Sequence, residues 1–371
     1  MRLLPVLIAI CLISCLHGGR TEYFTSGSQK WYTDNQCRYQ MIDVLQQMIK
    51  TTGMDKGDNA NWAVYLPCGY NNSQQELNKL RPTSADQKIF IIKGCDNLSR
   101  KDTLWTQLQH KYGVVEATKL VPRSYVLNSP SDLQALKREF NPKKVYIMKK
   151  NIQRQEGLKM TQNYNDIMSG LQSGYVVVQE MLQDPFLIEK RKTNCRIYLL
   201  VVCQNAVKRG YIYTDGFMYY TPKAFKPYSM DRDEVITTGY IDRSVYERNP
   251  LTLQDFSRYL DKQGYAGSTL FTKVGKLLAK TLDASSPNFC TPSNVSKQTT
   301  FQLFGCDVAF NNKFEVQLIE INKGPDLGGK DERDRTLKQT MVNELFRLIG
   351  VGGQPINIDV NKISHGFMRV W

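Results

Sequence analysis

The sequence predicts an α+β fold, antiparallel sheets with flanking helices, and three observations carry that expectation. Strand-like and helix-like stretches interleave without the regular spacing of βαβ units. Two long apolar runs, "CRIYLLVVC" (Cys195–Cys203) and "GYIYTDGFMYY" (Gly210–Tyr220), lie close enough in the chain to be antiparallel neighbours. A second pair, "FQLFGCDVAF" and "FEVQLIEIN", is separated by Asn311 and Asn312, which favour turns. The chain has 371 residues, 41% of them hydrophobic, with 20 Tyr and 15 Phe; it can bury a large core and has the length of two or three domains.

At the N-terminus, Arg2 precedes an apolar run, Leu3 to Leu16, that ends in His17, Gly18 and Gly19. A charged start, an apolar stretch of this length and small residues after it have the pattern of a signal peptide over residues 1–19. "LISC" (Leu12–Cys15) also has the look of a lipoprotein cleavage box. A secretory or extracellular location follows, or a cytoplasmic one if the run is instead a buried element. Asn71, Asn97 and Asn294 begin N-x-S sequons, and Asn294 in its polar loop is the best placed to carry a glycan.

Residues 20–88 form an N-terminal domain with one helix near Met41–Lys50 and no evident chemistry. Residues 89–177 open with a strand at Ile89–Gly94 and a helix near Thr103–Tyr112. A strand at Ser124–Asn128 follows, then a helix opened by Pro130 and Ser131, the latter spaced with Gln134 as a capping box. The strand Lys144–Lys150 places Val145 and Ile147 on one face, and a polar connection with one glycine leads to a short helix. Residues 178–371 hold most of the strand Tyr175–Leu182 and the two long runs, with Asp215 and Gly216 as a hairpin turn. Helices are expected near Leu253–Gln263, Leu270–Leu282 and Glu332–Ile349, with a flexible loop over Ser285–Thr299.

Lys and Arg total 49 against 35 Asp and Glu, a net charge of +14. Such a field attracts anionic partners. The charges are spread along the chain, which argues against a nucleic-acid-binding tail. No later segment is apolar enough for a stable membrane span. Nine cysteines become seven without the first 19 residues, so at least one thiol stays free. None forms a C-x-x-C pair and there are three His, which argues against zinc. Cys195, Cys203 and Cys306 fall in apolar runs and read as small core residues.

The polar residues inside the last hairpin carry the chemistry. Glu320 and Asn322 are two apart and share a face, Ile319 and Ile321 take the other, and Asp307 lies on the partner strand. Two carboxylates and an amide oxygen on one face suit Mg²⁺ bound with phosphates; on a sheet edge the same residues would face water. A Mg·ATP site also needs a phosphate lysine, a cover and an adenine strand. Lys149 ends a strand, "QRQEGL" follows it, and "VVVQEML" is apolar. Lys192 and Arg196 supply cations for a γ-phosphate.

In this order the motifs resemble those of the tubulin–tyrosine ligase-like enzymes, which are ATP-grasp ligases. Pro122–Leu127 is similar to their P-x-[ST]-[WY]-x-L strand, "LSRKDTLW" (Leu98–Trp105) to their "T-R-K-D-x-L" helix start, and "FQLFGCDV…LIEIN" to their closing signature. The resemblance covers about Ile91 to Gly350. It implies an ATP-grasp fold with the nucleotide between two subdomains, and a ligase that joins an amino acid to an acidic protein or peptide acceptor through an acylphosphate. ATP and Mg²⁺ would be bound by a monomer. Lys149, Gln179, Glu180, Met181, Leu182, Lys192 and Asn194 would hold the nucleotide, and Asp307, Glu320 and Asn322 the metal. Arg154, Lys192 and Arg196 would neutralise the transferring phosphate. Four places depart from the pattern: Gln155 stands for a Gly, Asn194 for an Asp and Tyr219 for an Arg, and the H-L-T-N element reads as Thr237-Thr238-Gly239-Tyr240, without its Asn. N-terminal sequencing of the mature protein should start near residue 20; a start at Met1 would refute the signal-peptide reading.

Overall fold

The computed structural model describes residues 30–32, 54–57, 61–67, 69–70, 73–152, 157–351, 363–364 and 366–371. The expected signal peptide, the helix near Met41–Lys50, the Asn71 sequon, Cys37, Cys68, Arg154 and Gln155 lie outside the described residues.

Two sheets organise the chain. The larger is built on three long strands, β10 (Arg191–Gln204), β11 (Val207–Tyr220) and β12 (Thr299–Phe310), with β10 antiparallel to both others. β13 (Val316–Asn322) pairs antiparallel with the second half of β12, and β4 (Lys88–Ile89) pairs parallel with its start. Through β4 the sheet continues in parallel into β3 (Val64–Tyr65), β1 (Lys30–Tyr32) and β2 (Asp55–Lys56). β15 (Phe367–Arg369) and β14 (Ile363–Ser364) extend the opposite edge, and β9 (Leu187–Ile188) pairs with the start of β10. The smaller sheet is antiparallel, in the order β5 (Ser124–Val126), β8 (Val177–Glu180), β6 (Tyr146–Lys149), β7 (Leu158–Thr161). The expected mix of α and β with antiparallel-rich sheets is therefore what the chain forms.

β12 is buried along its whole length, which explains why its sequence lacks strict alternation: both faces are covered. The helices Lys101–Leu120 and Leu270–Ser285 pack together against β13, while Leu253–Lys262 and Glu332–Leu348 pack on β11. The smaller sheet divides its side chains by period two. Tyr146 and Met148 join Leu136 of the helix Pro130–Glu139 in one apolar cluster, and Val145 and Ile147 join Met181 and Val235 in another. Among the described residues no helix is long and apolar enough to cross a membrane.

Several local expectations are corrected. The β10–β11 turn is Asn205–Ala206, both in the left-handed region (φ 49° and 63°), not Asp215–Gly216. Asp215 lies inside β11, where the register with β10 shifts past Tyr198. Its Oδ1 accepts from the backbone N–H of Gly216, Leu253 and Gln254, so the bulge serves the start of a helix. The helix Pro130–Glu139 is capped by Ser129, whose side chain accepts from Asp132 N, so Ser131 lies inside it. The strand at Ile89–Gly94 shortens to Lys88–Ile89, and β7 forms where a connection was expected. The loop Ser285–Thr299 is anchored, with Phe289 and Val295 buried. Cys203 is not a free core residue: it forms a disulfide with Cys290, while Cys95, Cys195 and Cys306 are free and buried. Asp215→Ala would leave three N–H groups without their acceptor, so we expect a loss of about 1–3 kcal/mol in chemical denaturation; no change in midpoint would contradict the capping role.

Candidate active site

One face of the main sheet gathers the charges. Residues two apart along β10 share a face, so Lys192, Asn194 and Arg196 stand in a row. Tyr219 of β11 lies opposite Asn194, and Asp307 of β12 lies opposite Arg196. Asp307 also lies opposite Glu320 of β13, and Gly305 opposite Asn322. Gly305 leaves room for the arginine: a Cβ there would lie a tight 3.2 Å from Arg196 Cδ.

The register then shifts, since Val308 pairs with Leu318, and Ile319 is left without a cross-strand partner. Ile319 consequently lines the same cleft as Glu320 rather than facing the opposite layer. This corrects the alternation read from the sequence.

The smaller sheet faces this surface across a cleft that is open to solvent at its mouth. Lys149 reaches it from β6, Gln179 and Glu180 from β8, and Met181 and Leu182 from just beyond. Lys192, Asn194, Asp307 and Glu320 line it from the main sheet. Arg196 and Asn322 sit behind the lining, in contact with the two carboxylates. The sequence reading gave no role to Lys101, Ile147, Val235, Ile236 or Thr237, which also line the cleft. Lys101 had a signal, the "RKD" at a helix start; the other four were legible only as apolar or small residues.

Polar contacts order the site. Lys149 Nζ donates to Gln179 Oε1 (2.7 Å), and Gln179 Nε2 donates to Ser124 Oγ (2.9 Å). Glu180 is paired with Lys144 at 2.8 Å. Arg196 grips Asp307 with two hydrogen bonds, Nε to Oδ1 at 2.6 Å and Nη2 to Oδ2 at 3.1 Å. Asn322 Nδ2 donates to Glu320 Oε1 (3.1 Å) and Asp307 Oδ2 (3.4 Å). Lys101 Nζ lies 3.7 Å from Glu320 Oε2 and donates to the Ile152 carbonyl at 3.0 Å. Asn194 Oδ1 is buried without a hydrogen-bond partner.

The charges perturb one another. Burial pushes the Lys149 ammonium down to about 8, against the pull of Glu320. It does the same to Lys192, also to about 8, with repulsion from Lys149 added and no carboxylate to oppose it. Burial raises the Asp307 carboxyl despite Arg196. It pushes Glu320 up too, but Lys101, Lys149 and the Asn322 amide together hold that carboxyl below its usual range.

This is a cleft lined by buried lysines and carboxylates, with an apolar flank, between two sheets of a mixed α+β fold. Residues 78–358 match the family described as the Tubulin-tyrosine ligase family, and the chain belongs to it. A tubulin polyglutamylase of Mus musculus (TTLL6) is 23% identical over 348 residues, 88% of this chain and 40% of that protein. A tubulin monoglutamylase of Mus musculus (TTLL4) is 22% identical over 362 residues, 89% of this chain and 29% of the relative. A probable beta-tubulin polyglutamylase of Tetrahymena thermophila is 21% identical over 316 residues, 78% of this chain and 26% of the relative. The chain thus spans less than half the length of these relatives.

The two lysines give the apo protein a pH signature. Between about 8 and their ordinary value of 10.5, the unfolded chain holds protons that the folded lysines have lost. Stability from this source therefore rises with pH across that window. Urea midpoints at pH 8 and pH 10 should show wild type gaining more than Lys149→Met; equal gains would contradict the burial of Lys149.

Proposed function

We propose that the chain is an ATP-dependent carboxylate–amine ligase, with nucleotide and Mg²⁺ in the cleft between the two sheets. The observation that carries this reading is the pair of buried lysines, Lys149 and Lys192. Neither has a carboxylate within ion-pair reach among the described residues, and both line a cleft that Asp307 and Glu320 also line, Lys149 from the facing sheet and Lys192 from their own. Buried cations left without counter-charges are costly, and phosphates would supply the missing charge.

The residues present fit the group. Lys149 and Lys192 would hold phosphates, and the orphaned Asn194 Oδ1 would accept from a ligand hydroxyl. Ile147, Met181 and Val235 offer an apolar wall for a base. Asp307, Glu320 and Asn322 are the oxygen donors for Mg²⁺, which would keep its remaining positions for water and phosphate. The metal would neutralise phosphate charge when bound. Arg154, Lys192 and Arg196 would steady the transferring group by charge, and positioning would supply the rest.

The reaction would activate a carboxylate as an acylphosphate and let an amine displace phosphate, leaving an amide bond. The relatives' names, tubulin polyglutamylase and monoglutamylase, support glutamate as one substrate and a protein as the other, and the net charge of +14 would draw in an acidic acceptor. Tyr219 and Gly239 favour a second reading: a protein that binds nucleotide without ligase turnover.

Glu320→Gln keeps shape and hydrogen bonding but removes the charge a metal needs. Mg·ATP should raise the melting temperature of wild type through binding to the native state and leave that of the mutant unchanged. An equal gain in both would remove the metal assignment. Lys149→Ala should weaken ATP binding by roughly 1.5–3 kcal/mol, the worth of a charge-assisted contact. Incubation with ATP, amino acids and acidic peptides, read by mass spectrometry, should show an added residue; nucleotide binding without added mass selects the second reading.

A further inference from the structure

Behind Lys149 the cleft continues into a small compartment. Trp105 of the helix Lys101–Leu120, Ser124 of β5 and Ile321 of β13 wall it, and it shares Lys149, Gln179 and Glu320 with the cleft. Trp105 follows Lys101 by four residues, so the two stand on one face of the helix, one turn apart. Trp105 is 1% exposed, and its Nε1 is buried without a hydrogen-bond partner. An indole nitrogen only donates, and a buried donor left without an acceptor costs stability.

The other polar groups around this space are unequally committed. Ser124 Oγ is filled: it donates to the Pro122 carbonyl (2.8 Å) and accepts from Gln179 Nε2 (2.9 Å). Gln179 Oε1 takes one proton of the Lys149 ammonium at 2.7 Å, and an ammonium carries three. Glu320 Oε1 accepts from Asn322 (3.1 Å), whereas Oε2 has Lys101 no nearer than 3.7 Å. An indole N–H, an ammonium and a carboxylate oxygen thus border a space with room for about one water molecule. A cation there would meet Lys149, and an anion would meet Glu320. A water molecule accepts from the first two groups and donates to the third.

We propose that the compartment holds one ordered water between Trp105 Nε1, Lys149 and Glu320, which makes Trp105 a positioning residue for the phosphate lysine. The consequence for nucleotide binding rests on the ligase reading; the water site does not. Gln179 would steady the ammonium from one side and the water from the other, and a bridging water serves nearly as well as a direct bond. The same water would tie the lysine of the smaller sheet to the carboxylate of β13. Trp105 acts on the nucleotide only through this link.

A crystal structure of the full chain should show a water within hydrogen-bond distance of Trp105 Nε1, and a crystal soaked in bromide should show no bromide there. A dry compartment overturns the proposal, and so does bromide in it, by assigning an anion. Trp105→Phe keeps an apolar ring and removes the donor, and thermal melts check that it folds. It should weaken binding of a non-hydrolysable ATP analogue with Mg²⁺ about fivefold, the worth of one neutral hydrogen bond. In a Lys149→Met background the same change should cost nothing, because the group it positions is gone. An equal loss in both backgrounds makes Trp105 a packing residue and overturns the positioning role, as does full affinity in Trp105→Phe. If Trp105→Phe fails to fold, the crystallographic result alone decides. Failure of wild type to bind the analogue defeats the nucleotide reading and leaves the water site to stand or fall on the crystal.

Discussion

Two ammonium groups buried in one cleft, Lys149 and Lys192, set the terms for the structure around them. Each comes from a different sheet, and each is under a tenth exposed. Such charges need a scaffold that holds them against repulsion and desolvation. Lys149 is fixed by the Gln179–Ser124 chain on β8 and β5, so the smaller sheet supplies the polar support for its own lysine. Lys192 stands at the start of β10, paired with Leu187 of β9, just before the strand enters its ladders with β11 and β12. Rigidity in both sheets is what keeps the like charges in place.

The opposite sign is handled differently. Asp307 and Glu320 are direct cross-strand partners, a pairing that repels in isolation. Arg196 meets Asp307 from the third strand, Lys101 approaches Glu320 from a helix start, and Asn322 bridges both carboxylates. The acidic pair thus meets a guanidinium, an ammonium and a neutral amide from three directions.

Much of this was legible in the sequence because it depends on period two. The alternation along β6 and β13 places Val145 with Ile147 and Glu320 with Asn322, whereas Asn194 is pointed to only by the family resemblance. What failed was the counting of register across strands. The shift at Val308 and Leu318 carries Ile319 to the cleft side, and the shift past Tyr198 turns Asp215 from a turn residue into a helix cap. Neither leaves a mark in the hydrophobic pattern. Lys101, Trp105 and Thr237 were missed because their roles come from contacts between segments far apart in the chain. Cys203 was misread for the same reason: an apolar neighbourhood says nothing of a partner 87 residues away.

That partnership has a topological meaning. The Cys203–Cys290 bond closes a covalent ring that contains all of β11, the segment bearing Thr237 and Gly239, and the helices Leu253–Lys262 and Leu270–Ser285. A backbone cut anywhere inside that ring leaves one molecule rather than two. The pieces stay tethered through sulfur at the tip of β10, and the strands on either side of the cut keep their pairing partners. The wall of the cleft formed by this segment can therefore be nicked without being shed until the disulfide is reduced.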